Sequence, residues 1–276
     1  MTEHRFDSGY WKTVGADAWV NLQPLMDRLY APISAAVLDG VSVPPSGRVL
    51  DVGCGAGATT LAMAQRLEPE GLCLGVDVSG PLLDLARRRA DEAALVNARF
   101  RQGDAQTADF DAPFDALISR FGVMFFPDPV AAFENLRGAM KPEAPLSFAC
   151  WRGPADNPLA ALPAEAARPL VSDLPTMPAE GPGRFAFADR DHVADVLTRA
   201  GWRDVEIESL DVDTPLSTDE MIEMNLKLGI LGSVLPKLPD ALRDRVIAAL
   251  AERVEGLAVD GAVPLTAGCW TVAARA

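Results

Sequence analysis

The chain has little of what metal and disulfide chemistry require. Its four cysteines, Cys54, Cys73, Cys150 and Cys269, are widely spaced with no C-x-x-C pair, and His4 and His192 are the only histidines beside them. That supply predicts neither a disulfide framework nor a zinc site, and no metal site is expected from it. Only carboxylates remain, as ligands for a hard cation. Positive charge is also short, with 25 Lys and Arg against 39 Asp and Glu for a net of -14. Such a surface repels phosphates, so neither nucleic acid nor an anionic lipid surface is expected as a partner. The first ten residues carry His4, Arg5 and Asp7 and no apolar run. They predict neither a signal peptide nor a transmembrane segment, hence a cytoplasmic protein with no membrane insertion. No internal repeat is visible.

What is present is enough apolar material, 49% of 276 residues, to bury one good core. One main domain with insertions is expected. From Trp19, the residues Leu22, Met26, Leu29, Ile33 and Val37 recur at helical spacing, in a stripe that Pro24 and Pro32 should bend or break. Residues 1–43 therefore read as an N-terminal helical cap. The stretch 44–151 then alternates strands and helices. Strands are predicted at 48–52, 72–77, 98–102, 114–119 and 146–151, and helices at 59–67, 81–94 and 130–140. Such alternation predicts a mostly parallel sheet with helices on both faces. Seven prolines between Pro154 and Pro182 make 152–190 a lid segment whose one regular element is an alanine-rich helix near 160–167. Residues 191–276 return to the core, with a helix at 191–200, strands at 204–212 and 265–274, and helices inserted between those strands over 218–257.

The strongest local signal is Val49-Leu50-Asp51-Val52-Gly53-Cys54-Gly55-Ala56-Gly57. Here a strand delivers glycines to a helix start, where backbone N–H groups are free and no Cβ blocks a ligand. The spacing alone leaves two cofactors open. Gly53, Gly55 and Ala58 satisfy the dinucleotide pattern, and Asp77 stands at the distance of its ribose-binding acid. A pyrophosphate, however, is poorly served by Asp51, Asp77 and Asp104 at three consecutive strand ends, whereas a sulfonium cofactor carries positive charge. The acidic edge favours S-adenosylmethionine (SAM).

Four further stretches follow in order: Gly-Val-Asp-Val-Ser at 75–79, Gly-Asp-Ala-Gln at 103–106, Phe-Asp-Ala-Leu-Ile-Ser-Arg-Phe-Gly-Val-Met-Phe-Phe at 114–126 and Leu-Arg-Gly-Ala-Met-Lys-Pro at 136–142. With the glycine loop, they make 48–151 resemble the class I SAM-dependent methyltransferases, and within these the bacterial ubiquinone and menaquinone biosynthesis branch. The resemblance implies a Rossmann-like α/β fold, a seven-stranded mostly parallel sheet whose last strand is antiparallel. It also implies SAM as cofactor, S-adenosylhomocysteine (SAH) as product and a small-molecule acceptor. Gly53, Cys54 and Gly55, with Asp51 before them, would face the methionine part. Asp77 would bind the ribose, Val78 would pack on adenine, Asp104 and Ala105 would meet its edge, and Arg120 would line the floor. One departure stands out: Glu143-Ala144 replaces the family's Gly-Gly, so a turn needing positive φ should be rearranged.

Other residues have plain readings. Asp51 can equally serve as an internal acceptor for its own loop. His192 reads as an exposed residue at a helix start, and Cys54 as a small residue that fits, since nothing basic beside it would activate a thiolate. Trp11, Trp19, Phe121, Met124, Phe125, Phe126 and Trp151 offer an apolar, aromatic substrate wall, within which Trp11, Phe121, Met124 and Trp151 are the expected pocket residues. No Asp-His pair or lysine qualifies as a dedicated base, and no catalytic residue is assigned. The reading is methyl transfer to an oxygen, nitrogen or carbon of a small apolar or aromatic molecule. A SAM-binding protein that does not methylate and a nicotinamide-dependent oxidoreductase stand as the alternatives.

Overall fold

A computed structural model describes residues 14–111, 113–175 and 181–276. Two helices open it, α1 (Val14–Asn21) and α2 (Gln23–Asp39). The break between them falls at Pro24, which lies in the first turn of α2, where its missing N–H costs nothing. Pro32, by contrast, is accommodated inside α2, and the stripe Leu22, Met26, Leu29, Ile33 and Val37 is buried throughout.

The core follows as β1 (Arg48–Val52), α3 (Ala58–Arg66), β2 (Leu72–Asp77), α4 (Gly80–Glu92), β3 (Ala98–Gln102), β4 (Ala116–Arg120), α5 (Pro129–Gly138) and β5 (Pro145–Trp151). The apolar runs of β1, β4 and β5 are buried on both faces, as parallel strands covered by helices must be. Phe114 and Met140 add an isolated bridge outside β4, so that strand begins two residues later than its apolar run suggests.

The rest of the chain supplies α6 (Leu162–Ala167), α7 (Arg190–Arg199), β6 (Arg203–Asp213), β7 (Leu216–Ser217), α8 (Thr218–Lys227), α9 (Gly229–Val234), α10 (Asp240–Leu257), β8 (Ala262–Val263) and β9 (Thr266–Arg275). The sheet has seven strands in the order β3-β2-β1-β4-β5-β9-β6, and β9 runs antiparallel to both neighbours. Strand order reverses between β1 and β4, the switch point where α/β sheets bind ligands beyond their carboxyl ends.

There are two large cores. One is the sheet with its flanking helices. The other joins Leu25, Met26 and Leu29 of α2 to Leu162 and Ala166 of α6, Leu231 of α9, and Val246 and Leu250 of α10. Three stretches far apart in sequence therefore pack as a single helical layer. The ribbon of β7 and β8 closes the base of the inserted helices, and the Arg28–Glu220 ion pair ties α2 to α8. No described helix is long and apolar enough to cross a membrane.

The turn after Lys141-Pro142 corrects one expectation. It keeps its positive φ without glycine: Glu143 itself adopts φ 64°, and its carboxylate pairs with Arg203. Two bonds hold the turn, from Ala144 N to the Lys141 carbonyl at 3.1 Å and from Arg275 to the Glu143 carbonyl at 3.3 Å.

Candidate active site

At the switch point lies a cavity of about 490 Å³. Its floor is the loop after β1. Gly53 has φ 66° and lies against Gly122 of the loop after β4. A Cβ on Gly122 would stand 2.6 Å from the Gly53 Cα, and closer still to the Val52 carbonyl oxygen. Two backbones thus touch where any side chain would separate them. Next to Gly122, Phe121 holds φ 66° without being glycine, a conformation that persists only where its surroundings impose it. Its N–H donates to the Ala149 carbonyl at 2.9 Å, and its ring stacks on Trp151 with centroids 4.5 Å apart.

Asp77 closes β2 at the cavity. One carboxylate oxygen accepts from Gly55 N and the other from Ser79 N, both at 2.8 Å. Burial pushes its pKa up, while the amides of Ser79, Gly55 and Val78 pull against that shift. Each oxygen keeps lone pairs beyond these bonds, so a pair of ribose hydroxyls finds acceptors already oriented by the backbone. Asp104 lines the exposed rim, with an oxygen accepting from Gln106 N at 2.9 Å. Arg120 reaches in from the end of β4, donating to Ser34 Oγ at 2.8 Å with its guanidinium 5.5 Å from the Tyr30 ring centroid. Burial lowers its pKa, while the nearby Asp27, Tyr30 and Asp51 favour its charge.

The residues singled out in the sequence divide clearly. Gly53, Cys54, Gly55, Asp77, Val78, Asp104, Ala105, Arg120 and Phe121 all line the cavity. Asp51 does not. It is wholly buried beneath the loop, where Oδ2 accepts from Thr59 Oγ1 at 2.7 Å and Thr60 Oγ1 at 2.6 Å, so the acidic edge consists of two carboxylates rather than three. Burial raises Asp51 to about 6, opposed by the two hydroxyls, Thr60 before Thr59. Met124 also misses the cavity: its side chain is 2% exposed and turned into the core. Trp151 backs Phe121 rather than lining the wall. Trp11 lies outside the described residues. The Cys54 thiol, raised well above its ordinary pKa by burial and by the Asp77 and Asp51 charges, is no nucleophile.

Trp19 from the cap and Phe125 and Phe126 after β4, offered as part of the aromatic substrate wall, also line the cavity, and several lining residues were not singled out beforehand: Gln23 from the cap, Leu82 from α4, Gly122 and Pro127 after β4, and Pro182. Phe125 and Phe126 stood within a quoted motif, but Gln23 and Pro182 carry no local mark. Among the described residues, no group of three or more His, Cys, Asp or Glu could hold a metal ion.

A methyltransferase-domain model matches residues 49–143. Aklanonic acid methyltransferase of a Streptomyces species is 35% identical over 132 residues, 46% of this chain and 59% of that protein. Nocamycin O-methyltransferase of Saccharothrix syringae is 31% identical over 200 residues, 68% of this chain and 69% of that protein. The match therefore spans about six tenths of the first relative's length and just over two thirds of the second's. Among solved structures, phosphoethanolamine N-methyltransferase 2 of Haemonchus contortus, in complex with SAM, has a TM-score of 0.56 at 16% identity, covering 99% of this chain and 58% of that one. Fold and site define a class I, Rossmann-like SAM-dependent enzyme. The chain belongs to the SAM-dependent methyltransferase family.

The residues fit that cofactor. The backbone is bare at Gly55 and Gly103: a Cβ on Gly55 would meet nothing nearer than Leu82 Cδ1 at 4.0 Å, and one on Gly103 would meet nothing within 4 Å.

Proposed function

We propose that the chain transfers the methyl group of SAM to a nucleophilic atom of a small, apolar or aromatic acceptor, with oxygen the favoured atom. The observation that carries this reading is the composition of the cavity wall. Asp77, Asp104 and Arg120 are its charged groups, while Trp19, Phe121, Phe125 and Phe126 supply an aromatic remainder. The choice of oxygen is supported by the relative named as an O-methyltransferase.

When bound, SAM supplies an electrophilic methyl on a sulfonium, so a weak nucleophile suffices in an in-line displacement. The chain's own residues bind, orient and exclude water. In this reading Asp77 accepts from the ribose hydroxyls, and Val78 and Leu82 cover the adenine. Asp104 and Ala105 meet the adenine edge, and Arg120 takes the carboxylate of the methionine part beside the Gly53-to-Gly55 loop. The cap, through Trp19 and Gln23, closes over the cavity with the segment that carries Pro182. Alignment and water exclusion supply the acceleration, up to about 7–11 kcal/mol in favourable cases. No described side chain is placed as a dedicated base.

Calorimetric titration with SAM, SAH and NADH tests the cofactor reading. Micromolar binding of SAM and SAH, weakened roughly 10- to 100-fold in Asp77→Ala, is expected from the loss of charge-assisted hydrogen bonds. Binding of NADH alone would overturn it. SAM binding without SAH formation across a panel of phenols, enols and carboxylic acids would leave a SAM-binding protein that does not methylate.

A further inference from the structure

Among the described residues, Arg184 is a cation without a carboxylate partner. Its segment borders the cavity: Pro182 lines the wall, and Gly183 N donates to the Met124 carbonyl at 3.1 Å. The guanidinium carbon lies 4.2 Å from the Trp151 ring centroid. The Nε is buried with no hydrogen-bond partner, although the residue as a whole keeps partial exposure. The titratable groups beside it are the Tyr30 phenol and the Cys269 thiol, not a carboxylate. Both are neutral, since burial raises Tyr30 and pushes Cys269 up to about 12. Partners are not scarce in this chain: nine other arginines pair with carboxylates among the described residues, and the net charge is -14. An arginine stays protonated even so, and a desolvated cation without an anion is costly. The Trp151 face offsets that cost only in part.

The surroundings are aromatic. Tyr30 meets Phe121 edge-on at 5.4 Å and Trp151 edge-on at 5.8 Å, and Phe121 and Trp151 stack. Phe121 and Arg120 belong to the cavity wall, so this patch joins the wall to Arg184.

We infer that Arg184 anchors the acceptor by binding an anionic group on it, a carboxylate in the simplest case, while the acceptor's rings pack on Phe121 in the cavity wall. The guanidinium fork matches a carboxylate bidentately, and shielding from water strengthens the pair. An uncharged analogue leaves the cation unpaired, so the site selects acids over neutral isosteres. This assignment rests on the methyltransferase reading above.

The test is calorimetric titration of the SAH-loaded protein with naphthoate and with uncharged naphthamide. The acid should bind at least tenfold more tightly. That preference should disappear in Arg184→Met and persist, reduced, in Arg184→Lys, with SAH affinity unchanged in both. Equal binding of acid and amide to the wild type, no binding of the acid, or a full preference surviving in Arg184→Met would overturn the assignment. Because the acid-to-amide ratio is read on the wild type, poor folding of a variant does not blunt the test. Failure of SAH to bind would overturn the cofactor reading instead, and so separates the two.

Discussion

Asp51 is a carboxylate sealed under the cofactor loop, and neutralising it should stabilise the protein. Folding raises its pKa from 3.8 to about 6, so the folded state holds the proton more tightly than the unfolded state does. The stability this contributes is fully present below pH 3.8 and is lost as pH rises through about 6. At about 1.4 kcal/mol per pKa unit, the loss is on the order of 3 kcal/mol, roughly half of it between pH 5 and pH 7.5. Asp51→Asn keeps an oxygen to accept from Thr59 and Thr60, and places an amide where Oδ1 already lacks a partner. The unmatched amide N–H groups cost about 1–3 kcal/mol, so the net gain at neutral pH is smaller than the charge term alone. Its pH dependence is the cleaner observable. At roughly 2 °C per kcal/mol for a chain of this size, the variant's Tm relative to wild type should climb by about 3 °C between pH 5 and pH 7.5. Thermal denaturation followed by circular dichroism at both pH values measures it. An offset that stays constant or shrinks would refute the argument that a desolvated charge sits there.

Three further outcomes follow from named contacts. Gly122→Ala should force apart the loops after β1 and β4, costing about 1–3 kcal/mol through overpacking and weakening SAH binding at least tenfold; an unchanged SAH affinity would show that the close approach is dispensable. Glu143→Gly should relieve about 1–2 kcal/mol of left-handed strain against an exposed ion pair with Arg203 worth about 0–1 kcal/mol. Urea denaturation should therefore give a more stable variant, and a loss of stability contradicts the ranking of the two effects. Asn157 is buried, donates to the carbonyls of Arg152, Gly153 and Gly268, and accepts from Gly268 N. Asn157→Ala should cost about 2–4 kcal/mol and speed amide exchange at Gly268, because it strands those groups without partners; slow exchange there would mean that water replaces the side chain at little cost.

Much of the architecture was legible because it is local. A run such as Val49-Leu50-Asp51-Val52 is a buried strand wherever it is found, and the helical spacing of Leu22, Met26, Leu29, Ile33 and Val37 marks one buried face. Helices inserted between β6 and β9 were expected as well. The lining positions of the glycine loop, Asp77 and Asp104 followed from the ends of strands, since parallel strands deliver their C-termini to one edge, while Arg120 followed from the family resemblance. Asp51 fell outside that rule: it sits within β1 rather than after it, and two threonine hydroxyls in α3 turn it inward.

By itself, then, the amino-acid sequence determined the elements, their order and the cofactor loop, because apolar period, capping and glycine placement act within a few residues. Only the tertiary structure decided which distant stretches meet. It joined α2, α6 and the inserted helices into one layer, set Trp19 and Gln23 over the cavity, turned Met124 into the core and left Arg184 against Trp151 with no carboxylate partner among the described residues. Those arrangements depend on shape complementarity between surfaces that are far apart along the chain, which no local pattern encodes.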